Sequence, residues 1–449
     1  METRTFKRGI HPLYNKEATE AKPIEKAALP QRVVIPLLQH VGAPCSISVK
    51  KGETVEEGQK IGEPAAFVSA PVHAPISGKV KDVVAWQHPA GSKVTSVVIE
   101  GDGSTKDWQD SGSTEGLDEL DSLGPDELRN IIKEAGIVGL GGAMFPTYVK
   151  LSPPENKKID TVILNGCECE PFLTSDHRVM VEMPERVVWG LAAIMKAVGA
   201  KDGYIGIEDN KPDAVSAIEG ALKEAGIDNV KIVLLETKYP QGAEKMLIDA
   251  VLGRKVPVGG LPMDVGVVVN NVGTAKAIYD AIKFKKPLIE RVVTVSGNGV
   301  KEPKNLLVRI GTSFEDVIAQ CGGLNCAEGE EVAILNGGPM MGVAQKDLSV
   351  PVIKGTSGIT VLAGKELKPE SYMPCIRCAS CVEVCPMGLM PYRIADAGRL
   401  NVTSIFKDFG GSACIECGCC AFVCPSKRPL VQWIRVGKIA QRKEEKNQS

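Results

Sequence analysis

The chain has 449 residues, a formal net charge of −2 and 43% hydrophobic content with only 4% aromatics. It is long enough for roughly three or four domains with buried cores, and the near-neutral charge leaves no basic footprint for nucleic acid or an anionic lipid surface. Residues 1–14 lack the apolar stretch of a signal peptide and no uncharged apolar run reaches membrane-spanning length, while the 14 cysteines fall mostly in runs that need reduced thiolates, so a cytosolic setting without a membrane span is expected.

Residues 1–30 form a charged arm without a hydrophobic period, expected to wrap onto a neighbour or a later domain. Across 31–100, short β-branched runs at 33–35, 47–49, 80–84 and 94–99 alternate with glycine and proline turns, which predicts a small β barrel or sandwich. The stretches 49–62 and 70–80 resemble the barrel-sandwich hybrid of lipoyl and biotinyl carriers. Those carriers present a modifiable lysine at a hairpin tip, whereas the matching turn here is Ser69-Ala70-Pro71-Val72, so the resemblance implies the shape without the swinging cofactor. His73 and His88 read as ordinary surface or packed residues rather than ligands.

Residues 101–124, rich in Gly, Ser, Thr and Asp, read as a linker. From 125 to 287 helix and strand alternate: helices at 125–135, 184–198, 212–225, 242–252 and 274–284, strands at 161–164, 204–207, 231–235 and 265–269. Such alternation predicts a mostly parallel sheet covered by helices on both faces, with ligands at the carboxyl ends of its strands. Three loops belong there. The first, 135–150, carries Gly139, Gly141 and Gly142, whose bare backbone lets N–H groups approach a phosphate beside a helix start. The second reads Asn165-Gly166-Cys167-Glu168-Cys169-Glu170-Pro171 and the third Asn270-Asn271-Val272-Gly273-Thr274. Side-chain amides at strand ends suit the edge of a flavin ring or a ribityl chain. Glu168 and Glu170 suit a carboxamide or a ribose hydroxyl, against the plainer role of helix capping. Cys167 and Cys169 read as packed thiols.

A β-grasp unit is expected over 288–365, with strands at 291–296, 306–310 and 332–335, a helix at 313–320 and the turn 336–342; Cys321 and Cys326 read as packing residues within it. The segment 366–430 holds the strongest motif, Cys375-x2-Cys378-x2-Cys381-x3-Cys385-Pro386 followed by Cys414-x2-Cys417-x2-Cys420-x3-Cys424-Pro425. Each is the run of two-cluster ferredoxins, in which the fourth cysteine ligates the other cluster. The expected ligand sets are therefore Cys375, Cys378, Cys381 and Cys424 for one [4Fe-4S] cluster, and Cys414, Cys417, Cys420 and Cys385 for the other. A pair of zinc knuckles or a disulfide staple is the competing reading, and two complete copies with both trailing prolines weigh against it. Cys419 is a spare, expected to be a small buried thiol, and the polar tail 431–449 is expected to fray at 442–449.

The glycine loop, the Asn-Gly-x-Glu-x-Glu-Pro turn, the strand 204–208 and the Asn-Asn-Val-x-Thr turn resemble the FMN- and NADH-binding flavoprotein family of respiratory complex I and related hydrogenases. The resemblance implies that Gly139, Gly141, Gly142 and Lys150 lie along the FMN phosphate and ribityl side. It also implies that Asn165, Asn270, Asn271 and Thr274 touch the flavin, and that Glu170 and Glu208 meet the nicotinamide nucleotide. This chain departs from the complex I pattern at Leu140, where that family has arginine, at Met144, where it has glycine, and at Cys167, where it has aspartate. The order of arm, lysine-free hybrid, flavin fold, β-grasp unit and two-cluster tail resembles the C-subunit family of Rnf ion-translocating ferredoxin:NAD oxidoreductases over nearly the whole chain. That family implies non-covalent FMN, two [4Fe-4S] clusters, NAD(H) as substrate, and a peripheral place on the cytoplasmic face of the membrane. Its partners would be membrane-embedded and iron–sulfur subunits and, indirectly, ferredoxin. The chemistry agrees, because NADH gives up two electrons together and a cluster carries one, so a flavin belongs between them. Two alternatives remain open from sequence: a cobalamin reductase of the propanediol-utilisation type, and a non-catalytic electron-transfer scaffold.

Overall fold

The computed structural model describes residues 2–108, 118–327, 329–364, 367 and 371–448. The strands Arg32–Pro36, Lys93–Gly101, Gly78–Gln87 and Thr54–Val55 form one antiparallel sheet in that spatial order, and Ser46–Ile47, Lys60–Glu63 and Val72–His73 form a second. Val33, Ile35, Val55, Ile61, Val72, Ile76, Val97 and Ile99 are buried together between them, the sandwich expected from the alternating runs. The turn at Ser69 to Val72 is buried rather than presented. Ala70 packs into the core of the next domain and the Pro71 carbonyl accepts from Lys354 Nζ at 2.8 Å, so the tip that would carry a swinging group is spent on a domain junction. His73 and His88 are packed as expected; burial pushes the His73 imidazole down to about 3.

The linker is shorter than predicted. Residues 109–117 lie outside the described residues, but Asp118–Ser122 is already helical. In the α/β domain the strands run in the order Val230–Leu235, Asp202–Glu208, Thr161–Gly166, Val267–Asn271, all parallel. Pro125, Pro184 and Pro212 each open a helix at a position where no N–H is needed. The helices Pro184–Val198, Pro212–Glu224 and Val272–Lys283 pack on one face of the sheet against Val162, Leu164, Ile205 and Ile207. The helix Glu244–Leu252 covers the other face against Ile163, Val233, Leu235 and Val269. The last strand begins two residues later than predicted because Pro262–Val265 winds into a 3-10 turn, closed by Gly266 in the left-handed region. A helix not predicted at all, Ser175–Glu182, follows the Asn165 turn.

The β-grasp sheet has six strands in the order Ile24–Lys26, Lys304–Arg309, Glu290–Ser296, Gly358–Ala363, Val332–Asn336 and Val343–Gln345. Three of these were not expected: Gly358–Ala363 in its middle, Val343–Gln345 at one edge, and Ile24–Lys26, which the N-terminal arm contributes in parallel to Lys304–Arg309. The arm also bridges Arg4 to Leu235 and Ile10 to Tyr239, so it does wrap onto later domains. The tail is a single helix, Leu430–Gln448, and not a frayed end. Leu430, Val431 and Ile434 are buried against Ile394 and Phe406, and Lys407 pairs with Glu444 at 3.0 Å far along it. Among the described residues no helix is long and apolar enough to cross a membrane.

Candidate functional site

Two small cavities in the C-terminal domain are lined by cysteines in the two predicted sets. One is walled by Cys375, Cys378, Cys381 and Cys424, and the other by Cys385, Cys414, Cys417, Cys419 and Cys420. Each cavity is thus lined by three cysteines of one run and the last cysteine of the other. Among the described residues no three His, Cys, Asp or Glu side chains group as a single ion would require. Sulfurs that ring a cavity suit a cubane, whose irons stand apart, better than one tetrahedral zinc. Cys419 is a fully buried thiol, as expected, but it lines the second cavity as well, with its Sγ facing the Tyr239 carbonyl at 3.9 Å.

The cavities differ in setting. At the second, Tyr239 of the α/β domain, 1% exposed, donates its hydroxyl to the Cys417 carbonyl at 2.7 Å. Gly418 lies in the left-handed region at φ +87°, and a Cβ there would fall 2.9 Å from the Met340 carbonyl, so only glycine lets the β-grasp turn approach. Arg8 of the arm donates to the Cys385 carbonyl at 3.3 Å. Lys438 donates to the Cys414 carbonyl at 2.6 Å and shares Glu416 with Arg435. The first cavity lies at the surface, where Cys378 is exposed and Tyr372, Met373 and Ile376 are 56%, 57% and 67% exposed.

At the carboxyl ends of the parallel strands the predicted flavin residues come together. Lys150 Nζ donates to the Val269 carbonyl and to Glu244, both at 2.8 Å. Asn271 caps the helix Val272–Lys283 by accepting from Gly273 N at 2.8 Å, and its Nδ2 donates to Asp176 at 2.6 Å. Thr274 Oγ1 accepts from Leu140 N at 3.0 Å, which ties the glycine loop to the same helix start. Gly141 lies against Asn271, and Gly142 sits at φ +98° with open space where a side chain would be. Asn165 donates to the Gly242 carbonyl at 2.8 Å.

The acidic residues are more deeply engaged. Glu168, itself at φ 47°, accepts from Ser175 Oγ and from the N–H groups of Asp176 and His177, the capping role rather than a ligand contact. Glu170 accepts from Met340 N at 2.6 Å and Met341 N at 3.0 Å and so clasps the β-grasp turn. Glu208 is fully buried and pairs with Lys211 at 2.7 Å; burial opposes the ammonium, but the carboxylate outweighs it and holds Lys211 charged. Burial, then Glu168, pushes the Asp176 carboxyl up to about 7.

Several polar atoms at these strand ends are buried without a partner: Asn270 Nδ2, both amide atoms of Gln241 and Glu208 Oε1. The N–H groups of Gly141, Gly142 and Ala143 also have none among the described residues. Buried polar groups rarely stay unpaired, so a ligand rich in acceptors and donors fits here, and FMN is one. Sequence reasoning missed Tyr239, Gln241, Lys16 and Asp176. The first two follow the strand Val230–Leu235 in a Pro-Gln-Gly turn, the same strand-end signal used for the other loops. Lys16, buried with its Nζ on the carbonyls of Glu168, Glu170 and Leu173, carried no such signal.

Family models match in four consecutive places: an RnfC barrel sandwich hybrid domain over 4–104, a Nuo51 FMN-binding domain over 132–280, an SLBB domain over 292–344 and a 4Fe-4S dicluster domain over 374–428. The chain is 48% identical over 440 residues to the C-subunit of the proton-translocating ferredoxin:NAD(+) oxidoreductase complex of Clostridium ljungdahlii, covering 98% of this chain and 94% of that one. It is also 48% identical over 443 residues to the C-subunit of the Na(+)-translocating ferredoxin:NAD(+) oxidoreductase complex of Acetobacterium woodii, covering 98% of each. To the C-subunit of the ion-translocating oxidoreductase complex of Rhodobacter capsulatus it is 39% identical over 398 residues, 88% of this chain and 75% of the other.

Proposed function

The chain belongs to the C-subunit family of ion-translocating ferredoxin:NAD(+) oxidoreductase (Rnf) complexes, and from that premise we propose that it is the NAD(H)-facing, peripheral subunit of such a complex on the cytoplasmic face of the membrane. The full-length relatives give no support to a cobalamin reductase or a bare scaffold. FMN and two [4Fe-4S] clusters, when bound, would supply the exchange between the paired electrons of NAD(H) and single-electron transfer to partner subunits.

The protein's own work is holding and aiming. The N–H groups of Gly141, Gly142 and Ala143 and the capped start of the helix Val272–Lys283 offer a phosphate site, with Lys150 reaching the Val269 carbonyl at the neighbouring strand end. Asn165, Gln241, Asn270, Asn271 and Thr274 present amides and a hydroxyl along the ring and ribityl side. Glu208, with one oxygen fixed by Lys211 and the other unpaired, together with Glu170 fits the nicotinamide nucleotide side. Glu168 shapes the loop from behind.

One observation carries the division of labour: Tyr239 spans from the flavin-side loop to the backbone of the Cys417 set, whereas the Cys378 set lies at the surface. The cavity of Cys385, Cys414, Cys417 and Cys420 is therefore the inner cluster and that of Cys375, Cys378, Cys381 and Cys424 the outer one, next to the partner subunits. Anaerobic reconstitution with iron, sulfide and FMN tests the reading. The expected spectrum has a flavin band over a broad iron–sulfur band, both bleached by NADH. Zinc in place of iron, or failure to retain FMN, would refute it.

A further inference from the structure

We propose that Arg291, carried by the β-grasp domain, supplies from beneath the glycine loop the positive charge that selects the FMN phosphate, in place of the arginine that complex I flavoproteins carry at the position of Leu140. The inference rests on the FMN reading above and assigns the phosphate preference to one residue of a different domain.

Arg291 lies in the strand Glu290–Ser296 and is only 4% exposed. Its guanidinium donates to three backbone carbonyls, Leu140 at 3.3 Å, Lys354 at 2.5 Å and Val292 at 3.2 Å. Neutral carbonyls satisfy its N–H groups but not its charge, and among the described residues it forms no ion pair. A buried cation held only by neutral carbonyls is costly, and its charge stays available to an anion that arrives nearby. The acids whose charge reaches it, Asp176 and Glu168, make their hydrogen bonds elsewhere: Glu168 caps the helix Ser175–Glu182, and Asp176 is bonded to Asn271 and, pushed up to about 7, carries only part of its charge at neutral pH. Burial brings the guanidinium down only to about 10, so it stays charged at neutral pH.

The loop above it is arranged to pass that charge on. In a planar trans peptide the C=O and the following N–H point opposite ways. Fixing the Leu140 carbonyl on Arg291 therefore aims the Gly141 N–H away from Arg291, toward the side where Gly141 meets Asn271 and where Gly142 leaves open space. The Leu140 N–H is held by Thr274, so both ends of that residue are fixed. Leu140 itself is buried in the domain core, a place an arginine side chain could not occupy without its own partner. Arg291 is thus a positioning residue that orients the loop and biases it toward an anion.

The test uses the full chain, anaerobically reconstituted with iron and sulfide, titrated separately with FMN and with riboflavin and followed by flavin fluorescence. Wild type should prefer FMN. R291Q keeps donors for the Leu140 and Lys354 carbonyls but not the charge, and should weaken FMN roughly tenfold or more while leaving riboflavin within about threefold. R291K should restore part of the preference, and it serves alone should R291Q fail to take up iron. An unchanged ratio of FMN to riboflavin affinity in R291Q, or an equal loss of both flavins, overturns the inference. A wild-type chain that binds riboflavin as tightly as FMN overturns it while sparing the flavin site, whereas one that binds neither removes the FMN reading and this inference with it.

Discussion

Replacing Lys211 with Met strands Glu208 in the interior. The pair closes at 2.7 Å with side chains 1% and 0% exposed, and Lys211 also donates to the Cys167 carbonyl and Asn210 Oδ1, both at 2.8 Å. Breaking a buried pair from one side costs about 3–5 kcal/mol, because the remaining charge has neither water nor partner. Glu208→Gln keeps an acceptor for the ammonium and removes only the charge, for which about 1–3 kcal/mol is expected. The double variant should cost less than the sum, with a coupling on the order of 1–3 kcal/mol. Because several domains unfold separately, the measurement should be local: native-state hydrogen exchange of the amides in the strand Asp202–Glu208, which reports the opening free energy of that strand. Protection in Lys211→Met within about 0.5 kcal/mol of wild type, or strict additivity in the double variant, would refute the claim that this pair holds the strand end.

Cys378→Ser should remove the outer cluster's electron paramagnetic resonance signal yet leave bleaching of the flavin band by NADH intact, whereas Cys417→Ser should stop NADH from reducing the outer cluster; the reverse pattern would invert the proposed order. Asp176 has a folded-state value near 7, raised from 3.8 by burial and then by Glu168. Its protonated form therefore stabilises the fold most fully below the unfolded value, and that stability is lost as pH rises through 7. Relative to Asp176→Asn, wild type should lose stability between about pH 4 and pH 7 at up to roughly 1.4 kcal/mol per unit and level off above that, and parallel curves would argue against a buried carboxyl there. Lys16→Met leaves the carbonyls of Glu168, Glu170 and Leu173 without their donor. Limited proteolysis should then cut within the arm well before it does in wild type, and equal cleavage rates would show that the arm is held elsewhere.

The cysteine sets were legible because cluster chemistry fixes ligand spacing within the chain itself. The parallel sheet was legible because β-branched runs such as 161–164 and amphipathic helices such as 184–198 repeat in a regular alternation. The helix Ser175–Glu182 was not, since Ser-Asp-His-Arg-Val-Met-Val-Glu has a weak apolar face and its start is capped by Glu168 from an earlier turn. The strand Gly358–Ala363 follows an irregular stretch and gains its place only by pairing with Glu290–Ser296 and Val332–Asn336. Composition misled at the tail, where a polar sequence is held helical by Glu416 and Glu444 reaching Lys438, Arg435 and Lys407. Within the site the strand-end amides were readable, but Lys16, Tyr239 and Arg291 act across long sequence separations, and no local pattern marks such a partner. The same tertiary contacts explain the acidic turn, where the plain capping role describes Glu168 better than a nucleotide contact does.

The arm has a bearing on biogenesis. It precedes all of its anchors in the chain: Tyr239, then the strand Lys304–Arg309, and finally the Cys385 carbonyl beside Arg8. Each contact waits only for its own segment, so the arm can pair at Tyr239 and along Lys304–Arg309 before any cysteine of the two runs has been made, and the Arg8 contact beside the inner pocket closes last.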